Sequence, residues 1–208
     1  EVSYQSKFAH FKNPLIAEIN DKIYGTSKRD PKLTAKIHHY RKRLKEELSD
    51  FVNKFKIDIL IPQNTLTIPL NISLALALTE FIAETEIKTI AHHHDFFWER
   101  KRFLRNCVWD YFNMAYPPHL PSIEHVVINS SGQNQLALRT GISSTLIPNV
   151  MDFDKPAPGK DDYNADIKQA LGIKEDEILI LQPTRVVQRK GIEHAIELVS
   201  RLGEKAVF

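Results

Sequence analysis

Short, unbroken β-branched runs alternating with helix-length segments constrain this chain more than any other feature. Ile57-Asp58-Ile59-Leu60-Ile61 stops at Pro62 and precedes an apolar stretch from Asn71 to Thr85, and Ile87-Lys88-Thr89-Ile90-Ala91 precedes a segment from Trp98 to Met114. His125-Val126-Val127-Ile128-Asn129 precedes Gln133 to Thr140, and Ser144-Thr145-Leu146-Ile147-Pro148 closes the series. Near-continuous apolar strands, each returning through a helix, predict a parallel sheet covered on both faces and joined by right-handed βαβ crossovers. The fold class is α/β.

Upstream, Leu33, Ile37, Tyr40, Leu44, Leu48, Phe51 and Phe55 recur by threes and fours, which predicts an amphipathic helix over 32–56. Its run Arg41-Lys42-Arg43 with Lys45 is followed at once by Glu46, Glu47 and Asp50, the pattern of a solvated helix face. The whole chain holds 28 Lys and Arg against 26 Asp and Glu in 208 residues, so its charge supplies no general attraction to nucleic acid. The longest apolar stretch, Ile72 to Ala83, carries Ser73, Thr79 and Glu80 and falls short of the ~20 apolar residues that span a bilayer, so it is expected to be a buried helix. A single cysteine, Cys107, and the lack of a secretory hydrophobic region predict a reducing, cytoplasmic setting.

Met151 to Asp162, with Pro156, Pro158 and Gly159, has the composition of a linker. The cycle then restarts with a helix Ala165 to Leu171, a strand Ile178 to Leu181, a helix Ile192 to Leu202, and a strand beginning at Ala206 after Gly203. Two domains are expected, 1–149 and 150–208. The chain starts at Glu1 without Met and stops inside an apolar run at Phe208, so it is expected to be an internal segment, incomplete at both ends.

Three clusters carry chemistry. His92-His93-His94-Asp95 follows Ala91 at the carboxyl end of a parallel strand, where open α/β sheets bind ligands. Three imidazoles suggest zinc, but alternate residues of a strand face opposite ways, so His92 and His94 could share a ligand that His93 could not join. Without a second Cys or an H-E-x-x-H helix, no metal is expected. A histidine ending a strand beside a crevice serves binding or proton chemistry, or else merely caps the strand. Thr184-Arg185-Val186-Val187-Gln188-Arg189-Lys190-Gly191 opens a helix and brings cations to its amino terminus, which suits a diphosphate. The alternative for Arg189 and Lys190 is ordinary loop charge near Glu193. No Walker or dinucleotide glycine fingerprint occurs. Ser130-Ser131-Gly132, after a strand, reads alone as a helix cap, and Pro148-Asn149 as a turn.

Taken in order, these segments resemble a retaining glycosyltransferase of family 4, with two Rossmann-like domains in the GT-B arrangement. The resemblance spans about Ile57 to Phe208. Asp58 to Asn64 is similar to the family's strand and loop ahead of its apolar helix, Thr89-Ile90-Ala91 leading to His94-Asp95 to its strand ending in His-Asp, and Val127 to Ser131 to its strand ending in Ser. Ile147-Pro148-Asn149 with Asp152 is similar to its I-P-N-G-x-D segment, and Arg185, Lys190 and Gly191 match its Arg-x-x-x-x-Lys-Gly loop. Val150 stands where the family has Gly, and the family's Gly-rich loop and Glu-rich donor motif are not present.

The resemblance implies transfer of a sugar from a nucleotide-diphosphate donor to an acceptor whose identity stays open, with retention at the anomeric carbon, in a cleft between domains. Arg185, Lys190 and Gly191, with Ser130, would bind the donor. His94, or one of its neighbours, would face the transferred sugar, with Asp95 fixing the imidazole. No metal or other cofactor is implied, nucleic acid and an integral membrane segment are not expected, and self-association is left open. The rivals are a non-catalytic α/β protein that binds sugars or nucleotides with His94 structural, a GT-B phosphorylase or epimerase, and a zinc hydrolase. The aromatics Phe96, Phe97, Trp98 and Trp109 are expected in the core rather than in an acceptor pocket.

Overall fold

The computed structural model describes residues 3–157, 159–202 and 205–208, so Glu1, Pro158 of the expected linker and Gly203 ahead of the last strand lie outside the described residues. The chain divides into two compact units between Val150 and Met151.

In the first unit a helix that the strand-and-helix alternation did not anticipate, α1 (Pro14–Ile23), comes first. Asn13 caps it by accepting from the Leu15 N–H at 2.9 Å, Pro14 fits its first turn, and Ile16, Ile19 and Ile23 are buried. The long helix α2 (Pro31–Phe55) begins at Asp30, which accepts from the Lys32 N–H at 2.8 Å, and it buries Leu33, Ile37, Tyr40 and Leu44. The apolar helix α3 (Ile72–Thr85), capped by Asn71, is buried from Ile72 through Ile82 on most of its circumference. It packs on α2, where the Ser73 hydroxyl donates to the Ile37 carbonyl at 3.0 Å. Arg41 and Lys45, expected to face water, instead reach α3: Arg41 pairs with Glu80, and Lys45 lies 2.8 Å from Glu80 and 2.6 Å from Glu84. Two cations of the basic run are thus neutralised within the fold.

Four strands, β1 (Ile59–Leu60), β2 (Lys88–His93), β3 (Ile123–Val127) and β4 (Thr145–Leu146), form one sheet in the order β1-β2-β3-β4, parallel throughout. The register sets Leu60 beside Thr89, Thr89 beside Ile123, Ala91 beside His125 and His93 beside Val127. That face is buried. Leu60, Ala91 and Ile123 join the main core with α3 and with α5 (Trp109–Ala115), while Val127 joins Phe96, Leu136 and Ile142 in a smaller one.

The opposite face departs from the expected two-sided cover: Ile59 is 47% and Ile61 57% exposed, Lys88, Glu124 and Thr145 are exposed, and Val126 alone is buried. Sequential parallel order with crossovers of one hand places every crossover helix on the same side, which is the physical reason.

The segment from Trp98 to Met114 is not one helix. It forms a 3-10 turn (Phe97–Glu99), a single helical turn α4 (Lys101–Leu104) and then α5. Buried Asn106 makes the break: its side chain donates to the Phe103 carbonyl and accepts from the Val108 N–H, both at 2.8 Å, replacing the helical ladder locally. Helix α6 (Ser130–Thr140) starts three residues before the expected Gln133, because Asn129 caps it by accepting from the Gly132 N–H at 2.7 Å.

The second unit carries a short helix α7 (Ile167–Ala170), a parallel pair β5 (Ile178–Leu179) and β6 (Ala206–Val207), a 3-10 turn (Gln188–Lys190) and the helix α8 (Ile192–Arg201). Among its described residues Ile173 is the one buried hydrophobic side chain, 8% exposed. The class is α/β with parallel sheets in both units.

Candidate functional site

In the first unit, polar residues collect where β1, β2 and β3 end. Strand β2 runs two residues beyond its apolar part because His92 and His93 still take ladder bonds: the His92 N–H donates to the Pro62 carbonyl at 3.0 Å, and its carbonyl accepts from the Asn64 N–H at 2.9 Å. Asn64 adopts the left-handed conformation, φ +55°, and its Oδ1 accepts from the His94 N–H at 2.7 Å. The turn after β1 is thereby clamped to the histidine run.

Strand alternation sorts the three imidazoles as expected. His92 and His94 lie together with ring centres 4.7 Å apart, and Gln63 Oε1 accepts from His92 Nδ1 at 2.9 Å. His93 points into the core, 1% exposed, and its Nε2 lies 2.8 Å from Nδ1 of His125, itself 3% exposed. Burial, and then the neighbouring His125, push the His93 pKa down to about 3, and burial lowers that of His125 to about 4. Both rings are neutral near pH 7. The outer nitrogen of His93, Nδ1, has no hydrogen-bond partner among the described residues. Burial and the adjacent His94 also lower the His92 pKa.

Asp95 does not hold the His94 imidazole. Its carboxylate pairs with the Arg100 guanidinium five residues on, across the 3-10 turn, where a full cation makes a charge-assisted hydrogen bond. Phe96 is buried and stacks on Trp98 at 4.5 Å, and Phe97 packs against Trp109 and Phe112. The Trp98 indole N–H donates to Gln135 Oε1 at 2.8 Å. Of the four rings expected in the core only Phe96 is buried; Phe97 and Trp98 are half-buried and Trp109 is 44% exposed. Ser130 is exposed in the first turn of α6, and the capping role belongs to Asn129. Among the described residues no group of three or more His, Cys, Asp or Glu is placed to hold a metal ion, and no helix is long and apolar enough to cross a membrane.

In the second unit Gly191 stands at the start of α8 with φ +62°, a conformation that favours glycine. Among the described residues no side chain caps this helix, which leaves the N–H groups of its first turn to a ligand. Arg185, Arg189 and Lys190 are exposed in the loop leading to it, and no ion pair among the described residues engages them. The Lys190 carbonyl accepts from the Gln182 side chain at 2.9 Å, which fixes the backbone next to Gly191. Open N–H groups, a helix dipole and unpaired cations together favour a doubly charged phosphate ligand.

His125 escaped the sequence reading because its partner lies 32 residues away on another strand. Gln63 escaped because a glutamine after a proline carries no pattern until the register sets it beside His92.

The chain is 35% identical over 198 residues, 93% of its length, to the mannosylglucosylglycerate synthase of Thermotoga maritima, and 36% identical over 171 residues, 79% of its length, to that of Petrotoga mobilis. These alignments cover 45% and 40% of the two relatives, so the chain spans less than half the length of the curated proteins it matches. No family model matches the chain, and no solved structure does.

Proposed function

We propose that this chain belongs to a glycosyltransferase that moves a hexosyl group from a nucleotide-diphosphate sugar to a glycerate glycoside. The observation that carries the proposal is the open amino terminus of α8, with Gly191 in the left-handed conformation and Arg185 and Lys190 unpaired, in a chain 35% identical to a sugar-assembling synthase over 198 residues. The product in that relative's name contains mannose, glucose and glycerate, which motivates a mannosyl donor and a glucosylglycerate acceptor.

Arg185 and Lys190 hold the two phosphates and stabilise the charge that grows on the nucleotide diphosphate as it leaves. Two side-chain cations and a helix dipole perform this without a metal ion. His94 faces a hydroxylated substrate at the carboxyl ends of the sheet, and Ser130 is a further donor ligand there. Resemblance to family 4 in the Ile147-Pro148-Asn149 segment and the Arg185 to Gly191 loop supports a GT-B arrangement and retention at the anomeric carbon. A lone unpaired cysteine, Cys107, supports a cytoplasmic setting.

Calorimetric titration with UDP, GDP and ADP and their mannose and glucose conjugates tests the assignment. One nucleotide series is expected to bind, unaffected by EDTA. Arg185→Ala and Lys190→Ala should each weaken it by about 1.5–3 kcal/mol, the value of a hydrogen bond to a charged group, with thermal stability unchanged because both side chains are exposed. Normal affinity in both variants, or binding by none of the nucleotides, would overturn it.

A further inference from the structure

Between the carboxyl end of α1 and the start of α2 lies a cavity of about 530 Å³, a volume in the range of small-molecule sites. The connection that walls it, residues 24–30, is pinned at three points. The Tyr24 hydroxyl donates to the Pro69 carbonyl, the Gly25 N–H donates to the Arg105 carbonyl at 2.9 Å, and the Arg29 guanidinium donates to both carboxylate oxygens of Asp110 at 2.7 Å. Gly25 makes its bond in the left-handed conformation, φ +80°, which a glycine takes without strain. Pro69 and Arg105 lie just ahead of α3 and α5, in the connections that leave β1 and β2. The cavity is therefore a formed one, tied to the same end of the sheet as the histidine run.

Its lining carries the ammonium groups of Lys22, Lys28, Lys32 and Lys36 together with Asp21 and Asp30. Glu18 engages two of the four, its carboxylate lying 2.7 Å from Lys22 Nζ and 2.5 Å from Lys36 Nζ. Asp30 accepts from the Lys32 N–H at the start of α2, which sets a carboxylate where a phosphate would otherwise meet the helix dipole. Among the described residues Lys28, Lys32 and Asp21 have no ion-pair partner. With Glu18 included, four cations meet three carboxylates. One positive charge in surplus suits a monoanion rather than a phosphate, and Asp21 adds an acceptor for hydroxyl groups. A hydroxylated carboxylic acid satisfies both.

We propose that this cavity binds the acid end of the sugar acceptor, with Lys28 and Lys32 holding its carboxylate and Asp21 accepting from hydroxyls of the same molecule. This rests on the glycerate-glycoside acceptor proposed above, and it names the contacts that separate such an acceptor from an uncharged glycoside. At the strand ends the Arg100 guanidinium is already paired with Asp95, whereas Lys28 and Lys32 are exposed and free to form charge-assisted hydrogen bonds.

The test is ¹H–¹⁵N amide NMR on the 208-residue chain, titrated separately with glucosylglycerate, with glucosylglycerol, which lacks the carboxylate, and with inorganic phosphate. Glucosylglycerate is expected to shift the amides of Gly25, Thr26 and Lys28 saturably, and glucosylglycerol to bind more weakly by about tenfold or more, as for loss of a hydrogen bond to a charged group. Lys28→Gln and Lys32→Gln should each raise the Kd for glucosylglycerate about tenfold, with amide shifts away from the cavity unchanged because both side chains are exposed. Equal affinity for glucosylglycerate and glucosylglycerol, or unchanged affinity in both variants, overturns the carboxylate contact. Phosphate bound as tightly as glucosylglycerate overturns the selectivity for a hydroxylated acid. Glucosylglycerate shifts confined to the histidine run overturn the cavity as the site while leaving the acceptor assignment standing. No glucosylglycerate shift anywhere in the chain removes that assignment as well.

Discussion

His93 and His125 are two residues whose protonation depends on burial. Each is neutral in the fold and free to protonate once unfolded, near the ordinary histidine pKa of about 6.5. Above that pH neither state gains a proton, and the pair costs nothing. Below it the unfolded chain takes up protons that the folded chain refuses until the pH nears about 4 for His125 and about 3 for His93. Stability is therefore expected to fall with decreasing pH from about 6.5 downward, by about 1.4 kcal/mol per pH unit for each imidazole. Urea unfolding at a series of pH values measures the slope. The double variant His93→Leu with His125→Leu, which removes both partners together, should lose most of it. An undiminished slope in that variant would place the acid sensitivity elsewhere.

At the scale of elements, the break between α4 and α5 pits propensity against hydrogen bonding. Asn106→Ala gains about 0.5 kcal/mol of helix propensity but strips the Phe103 carbonyl and the Val108 N–H of buried partners, at about 1–3 kcal/mol. The net expectation is destabilisation by about 1–2 kcal/mol in urea unfolding, and a more stable variant would show that the segment prefers a continuous helix. The same residue explains what the sequence concealed. An asparagine in a periodic segment gives no sign of which backbone groups it will bond, so Trp98 to Met114 looks like one helix. By contrast α2 and α3 were legible, because their apolar spacing is long and Asp30 and Asn71 stand at their starts as caps. Signals for α1 were also present, in Asn13-Pro14 and the spacing of Ile16, Ile19 and Ile23, but over ten residues they do not stand out from the strand-and-helix alternation. The apolar pattern of β2 ends at Ala91 although the strand runs to His93, because polar side chains mask extended backbone. The site divides likewise: the histidine run and the Arg185 to Gly191 loop are contiguous in sequence and visible there, whereas Gln63 with His92 and His93 with His125 exist only through strand register.

For the whole molecule, the two units differ in how much apolar surface each withdraws from water. The first unit buries whole side chains from α1, α2, α3, α5 and the covered face of its sheet in one connected core, and the second buries Ile173 alone among its described hydrophobic residues. Burial of a large apolar side chain contributes roughly 1.5–3 kcal/mol, so one such residue does not offset the ordering of α8 and the β5–β6 pair at about 1–2 kcal/mol per residue. Cooperative stability should therefore reside in the first unit. Hydrogen exchange is expected to show amides of α3, β2 and β3 opening only with global unfolding, and those of α8 exchanging orders of magnitude faster. A nucleoside diphosphate adds stability by mass action to whatever it binds. If its phosphates sit on the first turn of α8, saturating nucleotide should slow exchange at Ile192, Glu193 and His194 while leaving α3 unchanged. Protection confined to the first unit would move the phosphate site away from the Arg185 to Gly191 loop, and equal protection of both units before any nucleotide is added would show that α8 draws its stability from contacts other than its own sparse core.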